Sequence, residues 1–381
     1  MCRLSADIET DDINATLVHC LVTQDIDTGQ VFRYDDTGKH ESITTGLNIL
    51  ACAEEVWFHN GAMFDIPVIK KLYPFWKMEG KLYDTLILSR LFFTDIRDRD
   101  FRARAPNMPA QLYGRHSLEA WGYRLGILKS EYGKTLQNDW STYTPEMLEY
   151  CVQDVRVLTE LTKHFQPKLE VYQGAIDLEH KVAEIMAWQE KEGWPFDVEK
   201  AQKLENKLRL ELEQLSDEMR NTFHYVDGGE FVPKRDNSTR GYIAGAGFTR
   251  LKDFNPCSRQ HIAWAFQTFR DWEATEFTDT GRAKIDESVL FEIGTEESKK
   301  FARILELQKH LGMLSEGTNS WLKQVKPDGR IHHSCIMNTN TFRQTHLRPN
   351  LSQTPSAHEY RELFHPGKDR IQVGADASGL E

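Results

Sequence analysis

Residues 4–10, Leu-Ser-Ala-Asp-Ile-Glu-Thr, constrain this chain more than any other stretch. Leu4, Ala6 and Ile8 alternate with Ser5, Asp7 and Glu9, a period of two that suits a half-buried strand. Asp7 and Glu9 then leave the same face of that strand. Adjacent carboxylates repel unless a positive charge lies between them, and a divalent cation with hard oxygen ligands is the usual answer. The other reading is a polar strand edge facing water. A lone D-x-E does not choose between the two, so the choice falls to the rest of the chain.

A chain of 381 residues is long for one domain, and two or three are expected. Its 40% hydrophobic and 28% charged fractions describe a soluble globular protein. No apolar run reaches membrane-spanning length, and Met1-Cys2-Arg3-Leu4 lacks a signal-peptide core. Cys2, Cys20, Cys52, Cys151, Cys257 and Cys335 form no C-x-x-C pair. They read as reduced cytosolic thiols, neither a zinc site nor a disulfide framework. The net charge of −11 argues mildly against a nucleic-acid partner. A local basic surface can still bind phosphates within an acidic chain.

After the first strand, residues 15–22 and 30–34 read as further strands, with a turn at Asp27-Thr28-Gly29. Val56 to Asn60 is an apolar strand ending in His-Asn-Gly. A helical pattern of Phe64, Ile66, Val68, Ile69 and Leu72 follows, with Asp65 at its start, where a carboxylate also suits the helix dipole. Residues 83–93 and 117–125 read as helices, and the Arg-rich stretch 95–110 as a loop. Thr144-Pro145-Glu146 opens a helix, with Thr as N-cap and Pro in the first turn. Met147, Cys151, Leu158 and Leu161 form an apolar stripe on it, and Asp154 falls on that stripe. A carboxylate facing protein needs a partner, either hydrogen-bond donors or a cation. Tyr150 precedes Asp154 by one turn.

Each signal is weak alone; their order within one domain length is not. Four acidic groups, Asp7, Glu9, Asp65 and Asp154, suffice for two divalent ions about 4 Å apart, an arrangement that stabilises both attacking and leaving oxygens in phosphodiester cleavage. Together with Asn60-x-x-x-Phe64-Asp65 and Tyr150-x-x-x-Asp154, the set resembles the 3′→5′ proofreading exonucleases of the DEDD class, Tyr-bearing subtype. The resemblance implies an α/β RNase H-like domain over residues 1–170, a mixed sheet with helices. It implies that Asp7, Glu9 and Asp154 hold one Mg²⁺ or Mn²⁺, and that Asp7 bridges to a second, which Asp65 helps position. It also implies that Tyr150 orients the attacking water and that Asn60 contacts DNA.

The region beyond is mainly helical. Gln166 to Ala175, with Pro167 and Gly174, reads as a boundary. Residues 176–192 form an amphipathic helix, broken by Gly193-Trp194-Pro195. Asp197 can N-cap a longer helix running to about Phe223. Between Asp227 and Phe254 the chain turns rich in Gly, Asn, Ser and Thr. From Phe231 to Lys252, the cations Lys234, Arg235, Arg240, Arg250 and Lys252 stand against one acid, Asp236. Such a basic tip suits a nucleic-acid backbone, or is an ordinary solvated loop. Asn255 to Ser258 opens another helix, and residues 298–325 complete the helical region, interrupted near Gly312 and Gly317.

Residues 341–364 (TFRQTHLRPNLSQTPSAHEYRELF) and 371–381 (IQVGADASGLE) carry a second resemblance. With EHKVAEIMAWQEKEGWPFD and RHSLEAWGYRLG, they resemble family-A DNA polymerases of the T-odd podophage replicative type. This implies a helical thumb over 171–335 with its basic tip at about 227–253, then the start of an α+β palm over 336–381. It also implies contacts of Arg343, Asn350 and Gln353 with template and primer. The minor-groove acceptors such residues grip vary little with sequence. The family's Thr-Gly-Arg reads Thr341-Phe342-Arg343 here, which removes the backbone freedom of glycine and adds bulk. Ile371 to Ala375 is expected as a strand with an exposed, adhesive edge. Asp376 resembles the first palm aspartate, a metal ligand that also meets the nucleotide, and Glu381 the glutamate that crowds the sugar 2′ position.

A family-A palm also needs a second carboxylate and a fingers helix, and neither follows Asp376. The expectation is therefore a 3′→5′ DNA exonuclease that forms part of a polymerase and incorporates no nucleotide alone. A complementary C-terminal fragment would be its partner, with DNA, in the cytoplasm of an infected bacterial host. The alternative is a DNA-binding and assembly subunit whose nuclease is silent until that fragment docks. The podophage relatives bind host thioredoxin through a long thumb insertion. The corresponding stretch here, 227–253, is much shorter, which counts against thioredoxin as a partner.

Overall fold

The computed structural model describes residues 2–127, 140–337, 339, 341–375 and 378, which pack into two compact units. The first comprises residues up to Gly193 together with His332–Ser352, and the second Trp194–Ile331 with the residues from Gln353 onward.

The first unit is built on a five-stranded sheet in the order β3-β2-β1-β4-β5. The strands are β1 (Arg3–Thr10), β2 (Val18–Asp25), β3 (Val31–Asp35), β4 (Glu55–Phe58) and β5 (Lys81–Asp84). The expected alternation sets the central strand. Leu4, Ala6 and Ile8 are buried in one core with Leu47 and Leu50 of helix α1 (Ile43–Cys52) and with Ile66 and Ile69 of α2 (Asp65–Leu72). Asp7 and Glu9 leave the other face half-buried. β2 and β3 run antiparallel to their neighbours, whereas β4 and β5 run parallel to β1.

Before residue 128, two stretches differ from expectation. The stretch 83–93 is β5 followed by α3 (Thr85–Phe92), because Lys81–Asp84 pairs with β4 and Tyr83 stacks on Trp57, ring centres 4.5 Å apart. The expected loop 95–110 contains α4 (Ile96–Ala103). Its buried Asp100 takes a bidentate pair from Arg124 of α5 (Leu118–Leu125), at 2.9 and 2.8 Å, and accepts from the Gly114 N–H. A paired, hydrogen-bonded carboxylate anchors a helix whose sequence carries little apolar stripe.

Helix α6 (Pro145–Glu192) is N-capped by Thr144 and continues through the expected boundary at 166–175. The break shrinks to one residue of non-helical backbone, Tyr172, five positions after Pro167. Pro167 removes one donor and bends a helix without having to end it. The first unit therefore runs on along α6 to Gly193.

In the second unit Asp197 caps α7 (Val198–Phe223), accepting from the Lys200 N–H at 3.0 Å, as expected. The unit begins with a short strand, β6 (Trp194–Pro195), paired with β9 (Arg330–Ile331). The Gly-rich stretch after α7 is an antiparallel hairpin of β7 (Tyr225–Phe231) and β8 (Phe248–Asp253), not a loop throughout. Ser258 caps α8 (Arg259–Phe269); α9 (Glu287–Ile293) and α10 (Glu296–Leu311) follow. Phe223, Phe254, Phe266 and Phe301 fill their core. Arg303 of α10 grips Glu211 of α7 at 2.6 and 2.8 Å. Residues 312–316 form a wide helical turn before α11 (Trp321–Gln324), so the expected interruptions fall where Gly312 and Gly317 stand.

The expected strand Ile371–Ala375 is not formed. Residues 371–375 are irregular, and Ile371 and Val373 are 86% and 81% exposed. A strand without a neighbour to accept its ladder has little to hold it extended. Among the described residues no helix is long and apolar enough to cross a membrane.

Candidate active site

β1 positions the first two carboxylates. Asp7 faces Val22 across the antiparallel pair and Glu9 faces Cys20, with a bulge just after Glu9. α6 covers this face, packing Leu148, Cys151, Val152 and Val155 on Cys20 and Val22. Its Cys151 Sγ lies 3.4 Å from the Asp7 carbonyl oxygen and 3.6 Å from Asp7 Oδ2. Ligand atoms of Asp7, Glu9 and Cys151 all lie within 4.8 Å of one another.

Asp65 opens α2 and is 3% exposed. The backbone of Ile8, the residue between Asp7 and Glu9, acts on the Asp65 carboxyl and slightly favours its charged form. Burial, with Asp84 adding to it, pushes this carboxyl up to about 7. The loop leading into α2 is held by Asp84, which accepts from the N–H groups of Asn60 and Ala62 at 2.9 and 3.0 Å and caps α3. Asn60 itself takes a left-handed backbone, φ +70°, a conformation asparagine tolerates better than most residues. The Asp84 N–H in turn donates to His180 Nε2 at 2.7 Å.

Asp154 is buried on α6, one turn beyond Cys151 and therefore on the same helix face. Tyr150, half-buried, precedes it by one turn, its ring edge-on to Trp140 with centres 6.1 Å apart. Asp65 and Asp154 are not part of the tight group that Asp7 and Glu9 form with Cys151.

Cys151 and Asp84 are the site residues that sequence reasoning missed. Cys151 carried a usable signal: the periodicity that turns Asp154 toward the sheet turns Cys151 there too. Burial pushes its thiol far up, with Cys20, Asp7 and Glu9 adding to the shift, so it stays protonated beside the carboxylates. Asp84 carried none, because its part depends on a backbone loop 22 to 24 residues away in sequence.

The donor chemistry suits hard divalent cations. Asp7 and Glu9 offer carboxylate oxygens at coordination spacing on a half-buried face, and a buried carboxyl already resisting ionisation at Asp65 is what a nearby cation relieves. The residues present therefore fit a divalent ion.

The other candidate residues come from later in the chain. Arg343, Asn350 and Gln353 are exposed, and Asn350 Oδ1 accepts from the N–H and hydroxyl of Ser352 at 3.1 and 2.7 Å. Phe342, standing where the polymerase pattern has glycine, adopts φ +60°, the left-handed region that glycine occupies most easily. Lys234, Arg235 and Arg240 are exposed in the connection between β7 and β8 and make no ion pair with described residues. Asp376 and Glu381 lie outside the described residues.

No protein-family model matches the chain. The DNA-directed DNA polymerase of Enterobacteria phage T3 is 30% identical, over 99% of this chain and 68% of its own length. The family-A phage DNA polymerases are the family to which this chain belongs. The DNA-directed DNA polymerase of Escherichia phage T7 is 29% identical over the same shares of both chains. The DNA polymerase of Mycobacterium phage D29 is 23% identical over 77% of this chain and 45% of its own. Among solved structures, the POL domain of Pol1 from M. smegmatis, in complex with a DNA primer-template and dNTP, matches with a TM-score of 0.63. That match covers 96% of this chain and 55% of the neighbour at 14% identity, and speaks for the fold. The polymerase chain described here thus spans about two thirds of its T7 and T3 relatives and about half of that structural neighbour.

Proposed function

We propose that this polymerase chain carries a 3′→5′ exonuclease that removes nucleotides from DNA 3′ ends, seated on an RNase H-like domain over residues 1–170. The observation that carries the reading is Asp7 and Glu9 at ligand spacing with Cys151 of the overlying α6. The sheet order, with the first strand central, the antiparallel β2–β3 meander on one side and two parallel strands on the other, supports it.

Asp7, Glu9 and Asp154 would hold one Mg²⁺ or Mn²⁺, and Asp7 with Asp65 a second. Bound there, such ions would activate water and offset the charge that builds on the phosphodiester oxygens. The chain's own residues do the rest. The Tyr150 hydroxyl orients the attacking water through a hydrogen bond, Asn60 contacts the terminal nucleotides, and α6 restricts bulk water on the carboxylate face.

The polymerase side of the proposal assigns 171–335 to a thumb that grips duplex DNA and 336–381 to palm residues. Arg343, Asn350 and Gln353 touch template and primer, Asp376 serves as a metal ligand that also meets the nucleotide, and Glu381 favours deoxynucleotides. Lys234, Arg235 and Arg240 contact phosphates.

The test is direct. With Mg²⁺ and single-stranded DNA labelled at its 3′ end, the parent chain releases the label and Asp7→Ala releases it at least about a hundredfold more slowly. No release by the parent, or equal release by both, removes the nuclease reading.

A further inference from the structure

A second cluster of ligating side chains lies on the small two-stranded sheet of the first unit, β10 (Ser334–Met337) and β11 (Gln344–Leu347). Its arrangement follows from strand geometry. His333 and Cys335 are two residues apart and so share a face. The antiparallel register sets Cys335 opposite His346, and directly opposed residues have adjacent side chains. Three donors from two strand segments thereby converge.

Two of the three donor-to-donor distances are near those of a zinc site. Cys335 Sγ is 3.4 Å from His333 Nε2 and 3.3 Å from His346 Nδ1. Tetrahedral zinc, with Zn–S of about 2.3 Å and Zn–N of about 2.0–2.1 Å, holds sulfur and nitrogen about 3.6 Å apart. The three ligating atoms all lie within 4.8 Å of one another. The thiol can donate its one proton to one imidazole and accept an N–H from the other, so the case for an ion rests on three ligating side chains of this type converging at one point. His333 is 3% exposed, and its Nδ1 is buried without a hydrogen-bond partner.

Surrounding contacts brace the strand. Ser334 donates to Glu190 Oε1 at 2.6 Å, and His332 Nδ1 meets the Glu190 carbonyl oxygen at 2.7 Å. The Gln189 amide reaches His333 Nε2 at 3.1 Å. Rotating that amide by half a turn exchanges its nitrogen for its oxygen, a fourth donor at the same spacing.

We infer that His333, Cys335 and His346 bind a Zn²⁺ ion, with Gln189 completing the sphere, at a site separate from the carboxylate cluster. Two imidazoles and a thiolate favour zinc over the hard cations that suit Asp7 and Glu9. On binding, the Cys335 S–H bond breaks, its proton passes to solvent, and the sulfur electron pair forms the S–Zn bond. The ion clamps β10 to β11, where the chain then turns into the Arg343 region. No C-x-x-C pair marks the site in sequence, because the cross-strand register assembles it.

The test uses the full chain, stripped with chelator and titrated with Zn²⁺ and, as a spectroscopic probe, Co²⁺. The parent binds one equivalent of Zn²⁺ and shows a thiolate-to-cobalt charge-transfer band. Cys335→Ser and His346→Gln lose the band and bind Zn²⁺ at least about tenfold more weakly. Cys151→Ser and Asp7→Ala keep both, which separates this site from the carboxylate cluster. Far-ultraviolet circular dichroism checks that the variants are folded. Zinc-edge X-ray absorption of the parent and of Cys151→Ser, each showing one sulfur neighbour, gives an answer that no loss of fold in the Cys335 and His346 variants can affect. A parent that binds no Zn²⁺, a band surviving in Cys335→Ser, or a sulfur signal lost in Cys151→Ser would overturn the inference.

Discussion

Asp35 shows how single side chains hold the carboxylate sheet together. It ends β3 and is fully buried, and burial, the largest single influence, would push its carboxyl up. Hydrogen bonds from Thr37, His40 and Tyr143 together win and bring it down to about 2. The unfolded chain therefore takes up a proton near pH 4 that the folded chain refuses until about pH 2. The stabilisation is present above about pH 4 and is lost as the pH falls through that window. Asp35→Asn should cost about 1–3 kcal/mol at neutral pH. Urea denaturation of both chains should show the gap narrowing toward pH 2; a gap that does not change with pH would contradict this account of Asp35.

Among the elements, those with their own local signal were legible in sequence. The period-two alternation of residues 4–10 became the central strand with Asp7 and Glu9 on one face, and Asp197 caps the helix expected of it. Asp197→Ala should therefore lower stability by about 1 kcal/mol, read from the urea midpoint at an unchanged m-value. Elements decided by distant partners were not legible. Lys81–Asp84 is a strand because β4 lies beside it, and α4 stands because Arg124 reaches Asp100. Asp65 follows a loop that Asp84 holds, and His346 meets Cys335 through a pairing register. No pattern within any of those segments encodes the meeting. The hairpin of β7 and β8 supports a further prediction. If its tip contacts phosphates, replacing Lys234, Arg235 and Arg240 with Gln weakens duplex binding and lowers the slope of log K against log salt by up to about 3. Fluorescence anisotropy over a salt series measures this, and an unchanged slope removes the tip from the DNA contact.

For the whole molecule, membership of the phage polymerase family and the geometry of the first unit answer different questions. Kinship with the T7 and T3 enzymes covers 99% of the chain and establishes ancestry. The chemistry proposed for the first unit depends instead on whether Asp7, Glu9, Asp65 and Asp154 work as one set, although they come from one strand and two helices. Groups that act as a unit show losses that do not add. The decisive comparison is therefore the single-turnover rate of 3′ trimming for the parent, Asp7→Ala, Asp154→Ala and the double variant. If the carboxylates share one pair of cations, the double variant trims no more slowly than the slower single. Losses that multiply, or a single variant that trims as fast as the parent, would contradict a shared site.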